Sequence, residues 1–186
     1  GLLWLRSDVK LNPIVIGGAQ EGGRRAGTEN VALAVGFAKA LELAVANTAT
    51  EACRLAGLRD DFLSKLHSHI PTLILNGHPT HRLPNNINLC IPDVEGEAML
   101  LMLDAVGICA ATGSACNASD LEPSHVLRSI GRNDEVIHGS LRFTLGHSTT
   151  KEALTYTAKE LGKIVHRLQA ISASSTQHHK TYATHT

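Results

Sequence analysis

The chain has no surplus of either charge, no paired-cysteine motif, no internal repeat and no uninterrupted apolar run of membrane-spanning length, and each absence removes a class of function. Lysine plus arginine and aspartate plus glutamate number 17 each, so no basic excess draws it to nucleic acid or to an anionic membrane. Neither a nucleic-acid nor a membrane partner is expected. Cys53, Cys90, Cys109 and Cys116 show no CxxC spacing, so neither a zinc ribbon nor a disulfide framework is suggested, and their number fits a reducing compartment. No stretch approaches the roughly 18 consecutive apolar residues of a membrane helix. The opening Gly1-Leu2-Leu3-Trp4-Leu5-Arg6 lacks an initiator methionine and the charge-then-apolar order of a signal peptide. It reads as a chain that begins in mid-strand, so a fragment is the expectation. The 43% of hydrophobic residues among 186 suffices for one well-buried domain, or one domain plus part of another.

What is present alternates between strand and helix patterns. Leu2 to Leu5 and Pro13 to Ile16 read as short apolar strands, and residues 17–30, GGAQEGGRRAGTEN, as a glycine-rich candidate binding loop. From Val31 apolar residues recur every three or four positions, with Thr28-Glu29-Asn30 offering caps. Asn47-Thr48-Ala49-Thr50 is expected to interrupt or bend that helix before a second one, Glu51 to His69, whose stripe is Leu55, Leu58, Phe62 and Leu66. Strands are expected at Leu73 to Leu75, at Asn86 to Ile91 with period two, at Val106 to Ala110 and at Ser140 to Leu145. Helices are expected at Glu95 to Leu103, Ser124 to Ile130 and Lys151 to Ala170. The tail from Ser172 has little to bury and reads as disordered. This gives an α/β chain: residues 1–30 end a larger unit, 31–46 form a connecting helix, 47–171 form a small α+β domain and 172–186 a tail.

Cys116 lies in Ala111-Thr112-Gly113-Ser114-Ala115-Cys116-Asn117-Ala118-Ser119-Asp120, where nothing can bury a thiol. Cysteine is usually among the most buried residues, so this setting suggests either a reactive thiol or an inconsequential surface one. Arg142 stands on an alternating strand in Leu141-Arg142-Phe143-Thr144-Leu145-Gly146. There a guanidinium either finds an anionic partner or points to solvent.

Three motifs together, Gly17 to Asn30, Arg82-Leu83-Pro84-Asn85 leading into Glu95-Gly96-Glu97, and Thr112 to Leu127 followed by Leu141 to Gly146, carry a resemblance. From Gly1 to about Leu168 the chain resembles the C-terminal part of a NifS-like, pyridoxal phosphate (PLP)-dependent cysteine desulfurase, in the class-V aminotransferase family that also holds selenocysteine lyases. The resemblance implies a PLP-dependent transferase of fold type I with most of the large domain missing. It implies that Cys116 is the catalytic nucleophile, taking sulfur from L-cysteine as a persulfide and leaving alanine. Because a free thiol near pKa ~8.5 is only partly ionised at neutral pH, a neighbouring base must assist. Arg142 matches the arginine that pairs with the substrate α-carboxylate. Thr28 matches a threonine that reaches the PLP phosphate of the partner subunit, so a homodimer is implied. Gln20, Arg24 and Arg25 match residues lining the cleft mouth. Two departures occur there: Ala19 stands where glycine is usual and Gly22 where arginine is usual. Leu121-Glu122-Pro123-Ser124 resembles the long-loop desulfurases more than the short-loop selenocysteine lyases.

In that family PLP is held as a Schiff base on a lysine in a Ser-x-His-Lys segment, and this chain has no such segment. Lys10, Lys39, Lys65, Lys151, Lys159 and Lys163 fall in turns or on amphipathic helices, and Lys180 in the tail. The chain can therefore supply nucleophile, carboxylate anchor and one phosphate contact, and on its own is expected to be inactive. His78 and His81 have no third ligand in sequence, so metal binding is not indicated. The readings are part of a cysteine desulfurase delivering sulfur to an acceptor or iron–sulfur scaffold protein, a selenocysteine lyase, or a noncatalytic sulfur-accepting module. The expected location is the cytoplasm, or the mitochondrion for a eukaryotic source.

Overall fold

Alternation in the second half of the chain builds a three-stranded antiparallel sheet. The computed structural model describes residues 1–112 and 123–182, with side chains through residue 172. Strands β1 (Ile74–Leu75), β2 (Asn86–Cys90) and β3 (Ser140–Thr144) lie in the order β1-β2-β3. Ile87 pairs with Phe143 and Leu89 with Leu141, whereas Asn86 pairs with Thr144, Asn88 with Arg142 and Cys90 with Ser140. Since successive side chains point to opposite faces, one face is apolar and the other mostly polar.

Helices cover the apolar face. Helix α1 (Val31–His69) contributes Leu55, Phe62 and Leu66, α2 (Gly96–Asp104) contributes Met99 and Leu103, and α5 (Lys151–Tyr182) contributes Leu154, Ala158, Leu161 and Val165 to one buried core with Ile87, Leu89, Leu141 and Phe143. Phe62 meets Phe143 edge to face with ring centroids 5.5 Å apart, an arrangement that adds about 0.5–1.5 kcal/mol beyond area burial. Two short helices, α3 (His125–Ser129) and α4 (Asp134–Ile137), bring Leu127 and Ile137 against Cys90 in a smaller cluster. Arg128 grips Asp134 with two hydrogen bonds of 2.7 and 2.8 Å. At the entry to β3 the backbones touch: Ile91 N–H donates to the Gly139 carbonyl at 2.9 Å. A Cβ on Gly139 would overlap the Ile91 carbonyl oxygen, so only glycine fits.

The chain divides into two compact units, Gly1–Ala49 and Thr50–Thr186, and the sheet belongs to the second. In the first, the expected strands at Leu2 to Leu5 and Pro13 to Ile16 are absent. A strand exists by pairing, and among the described residues no ladder forms here, the Ala26-to-Val15 bond standing alone, which leaves Trp4 76% and Ile14 96% exposed. The expected interruption at Asn47 to Thr50 is also absent. Asn47 Nδ2 donates to the Leu43 carbonyl at 2.8 Å and Thr48 Oγ1 to the Ala44 carbonyl at 2.7 Å. Polar groups satisfied on the preceding turn leave a helix intact.

Helix α1 has an 18-residue window of mean hydropathy 1.4, so by length and composition one helix among the described residues could cross a membrane. Lys39 and Glu42 break its apolar run, so the sequence shows no uninterrupted stretch of that length. Val106 to Ala110 forms no strand; only Ala111 bridges to Arg142. Helix α5 continues to Tyr182, through residues expected to be disordered, in a stretch with no glycine or proline to stop it. Helix α4 was not expected; Asn133, whose side chain accepts from Val136 N–H at 3.3 Å, caps it.

Candidate functional site

Arg142 stands at the centre of β3 on the polar face of the sheet, and it is exposed. Its backbone N–H donates to the Ala111 carbonyl at 2.7 Å, and Ala111 N–H returns a bond to the Arg142 carbonyl at 3.0 Å. The backbone five residues before Cys116 is thereby fastened to the strand that carries Arg142. Cys116 itself lies outside the described residues. Among the described residues, no hydrogen bond or ion pair engages the Arg142 guanidinium.

Behind this position runs a polar relay. Arg132 Nε donates to Asn76 Oδ1 at 2.8 Å and its Nη2 to the Leu75 carbonyl at 2.9 Å. Asn76, which is buried, donates through Nδ2 to Asn88 Oδ1 at 2.7 Å and to Cys90 Sγ at 3.1 Å. Sequence reasoning passed over Asn76, Asn88 and Arg132, although the period-two pattern of Asn86 and Asn88 against Ile87 and Leu89 puts both asparagines on one face. Beyond β3, Arg54 donates to the carbonyls of Gly146, His147 and Thr149 at 3.1–3.2 Å while gripping Glu51. Its hydrogen bonds hold the Glu51 carboxyl below its usual range, so that pairing is kept above that range and lost only as pH falls through the lowered value. The Arg82-Leu83-Pro84-Asn85 motif is a frame: the Leu83 carbonyl accepts from Arg59 at 3.4 Å, and the Asn85 carbonyl accepts from Leu145 N–H at 2.8 Å.

In sequence Cys53 and Cys109 lie in apolar helix or strand context, which reads as structural, whereas Cys90 alternates with Leu89 and Ile91 and is ambiguous; the structure places them differently. Cys53 and Cys109 are exposed, and Cys90 is the buried one. Cys53 sits on the part of α1 turned from the core, and Cys109 just past the buried Ile108. Burial raises the Cys90 thiol above its ordinary value, partly opposed by the Asn76 hydrogen bond. A thiol that holds its proton higher when folded contributes stability below the usual thiol range and loses it as pH rises through the raised value. Brief alkylation of the native protein near neutral pH is therefore expected to label Cys53 and Cys109 and to spare Cys90 until denaturant is added, as read by peptide mass spectrometry. Native labelling of Cys90 at the rate of Cys53 would contradict this packing.

In the first unit, the glycine-rich loop closes on itself. Gln20 Oε1 accepts from Gly27 N–H at 3.2 Å, and Ala26 N–H donates to the Val15 carbonyl at 3.3 Å. Gln20, expected at a cleft mouth, thus spends its carbonyl on bracing the loop. Arg24 reaches the Glu21 carbonyl at 3.5 Å, and Arg25 is exposed. Glu21 (φ 55°) and Gly22 (φ 63°) are both left-handed, so glycine at the position where arginine is usual relieves one of two strained torsions. Asn30 caps α1, accepting from Leu33 N–H at 3.0 Å. Thr28 is not that cap, and its exposed hydroxyl has no partner among the described residues.

No lysine whose side chain is described suits a covalent cofactor anchor, which needs a desolvated amine. Lys39 pairs with Glu42, Lys65 with Asp61 and Lys163 with Glu160, and Lys10, Lys151 and Lys159 are exposed. Among the described residues no group of three or more His, Cys, Asp or Glu could hold a metal ion. His78 instead caps its own turn, Nδ1 accepting from Thr80 N–H at 3.1 Å and His81 N–H at 2.9 Å.

The class-V aminotransferase family model matches residues 1–156. The chain belongs to that family. Cysteine desulfurase IscS of Dictyoglomus turgidum is 49% identical over 172 residues, covering 92% of this chain and 44% of that protein. Cysteine desulfurase IscS of Methanosarcina thermophila is 48% identical over 181 residues, covering 97% and 45%. A NifS-like protein of solved structure superposes with a TM-score of 0.75 at 28% identity, over 87% of this chain and 41% of that one. The NifS-like protein from Rickettsia africae gives 0.73 at 29%, over 84% and 41%. This class-V chain thus has the NifS-like fold, and it spans less than half the length of the curated relatives it matches. The apolar helix α1 lies within the matched residues.

Proposed function

We propose that this chain is the sulfur-accepting part of a PLP-dependent cysteine desulfurase, working as a homodimer in the cytoplasm and passing sulfur to an acceptor or scaffold protein. The observation that carries the reading is the Ala111–Arg142 bridge. It ties the root of the segment bearing Cys116 to the strand bearing a guanidinium that has no partner among the described residues. Five extended residues span at most about 18 Å, a reach that lets nucleophile and carboxylate anchor serve one substrate molecule.

In this reading Arg142 holds the α-carboxylate of L-cysteine and fixes the amino acid in one orientation. The Cys116 thiolate attacks the substrate sulfur. A sulfur–sulfur bond forms as the substrate's Cβ–sulfur bond breaks, and the carbon keeps the electron pair and takes up a proton to give alanine. PLP, when bound, supplies the electron sink that makes that bond labile. Thr28, two residues before the α1 cap and with a hydroxyl that has no partner among the described residues, is suited to a phosphate oxygen, in the partner subunit's site. Arg24 and Arg25 add positive charge to the same loop. Since the chain has no Ser-x-His-Lys segment and no lysine with a described side chain fits the cofactor anchor, this chain alone is expected to show no turnover.

The complete gene product loaded with PLP should release one alanine per sulfur from L-cysteine and favour L-cysteine over L-selenocysteine. A strong preference for selenocysteine would replace this reading with a selenocysteine lyase.

A further inference from the structure

We propose that Asn88 is a second carboxylate-binding residue, whose side-chain N–H groups hold the substrate α-carboxylate beside Arg142; this rests on the reading of Arg142 given above. Asn88 and Arg142 are directly opposed across the β2–β3 ladder, so their side chains leave the same face at neighbouring positions. A primary amide can present oxygen or nitrogen, and a chain of hydrogen bonds decides which. Arg132 has only donors. Its bond to Asn76 Oδ1 at 2.8 Å turns Asn76 Nδ2 toward Asn88, whose Oδ1 accepts at 2.7 Å. The oxygen of Asn88 is thereby engaged, and its nitrogen is left as the free group.

Among the described residues, nothing accepts from Asn88 Nδ2 or from the Arg142 guanidinium. Their neighbours on that face, Asn86, Thr144, Cys90 and Ser140, carry no carboxylate. Two adjacent donor groups, one of them charged, with no acceptor among the described residues, match a planar anion with two oxygens. The relay is set before any ligand arrives, because Asn76 is buried and Arg132 is also held by the Leu75 carbonyl at 2.9 Å. Such preorganisation favours binding.

The test uses the PLP-loaded complete gene product, with L-alanine and L-alaninamide as probes, since they differ only in the carboxylate. Titration calorimetry gives their Kd, steady-state kinetics gives KM and kcat for L-cysteine, and thermal melts check each variant's fold. Asn88→Ala should weaken L-alanine binding and raise KM by about 10- to 100-fold, the scale of a hydrogen bond to a charged group, with kcat little changed and L-alaninamide unaffected. Asn88→Asp is the sharper variant: it keeps the acceptor that Asn76 needs, removes the N–H donors and sets a negative charge beside Arg142, so it reads whether position 88 faces the substrate carboxylate. The proposal requires Asn88→Asp to bind L-alanine more weakly than Asn88→Ala does. Wild-type affinity in Asn88→Asp, or equal losses for both probes, would overturn it. Loss of L-alanine binding in Arg142→Ala with none in either Asn88 variant would sink this proposal alone, whereas wild-type binding in Arg142→Ala would sink the reading of Arg142 and this proposal with it.

Discussion

Replacing Cys116 by alanine in the PLP-loaded complete protein is expected to abolish sulfur release from L-cysteine, by on the order of 10³-fold or more, the scale of losing a covalent nucleophile. Cofactor binding should be unchanged, because it uses other groups. Cys116→Ser should fail as well, since an alcohol is a far weaker nucleophile and cannot carry the sulfur onward. Cys90 is a poor substitute, being buried with its proton held. The assay is alanine and sulfide formed with dithiothreitol present. Retained turnover in Cys116→Ala would remove the nucleophile from this account.

Replacing Arg142 by alanine should lower kcat/KM for L-cysteine by on the order of 100-fold, the scale of truncating one partner of a hydrogen-bonded charge pair. Most of the loss should appear in KM, because the contact holds the carboxylate in ground and transition states alike. Arg142→Lys should recover only part of it, since an ammonium cannot offer the planar fork. Stability should change little, because the side chain is exposed and has no partner among the described residues. An alanine variant with wild-type KM would show that Arg142 merely points to solvent.

The parts of this fold that were legible in the sequence are those whose pattern depends on local neighbours. Asn86-Ile87-Asn88-Leu89-Cys90 and Ser140-Leu141-Arg142-Phe143-Thr144 alternate, and both are strands with the alternate residues buried. The parts that misled depend on partners or on alternative hydrogen bonds. Leu2 to Leu5 has strand composition but joins no ladder among the described residues. Asn47 and Thr48 look like breakers yet bond to carbonyls one turn back. Cys53 and Cys109 lie among apolar residues in sequence, but whether an apolar stretch faces a core is a tertiary fact, and both face outward. At the site, Arg142 was readable as a cation out of place on an alternating strand, whereas the orientation of Asn88 depends on Arg132, 44 positions away in the chain. Thr28 and Asn30 were equivalent as caps from sequence, and the structure uses Asn30.

The most direct test is to quench the PLP-loaded protein during turnover of L-cysteine, without reductant, alkylate it and map the cysteine peptides by mass spectrometry. One additional sulfur atom should be found on the peptide that contains Cys116, removable by dithiothreitol and absent when L-alanine replaces L-cysteine. Turnover with the extra sulfur on Cys53 or Cys109, or on no cysteine, would contradict the account.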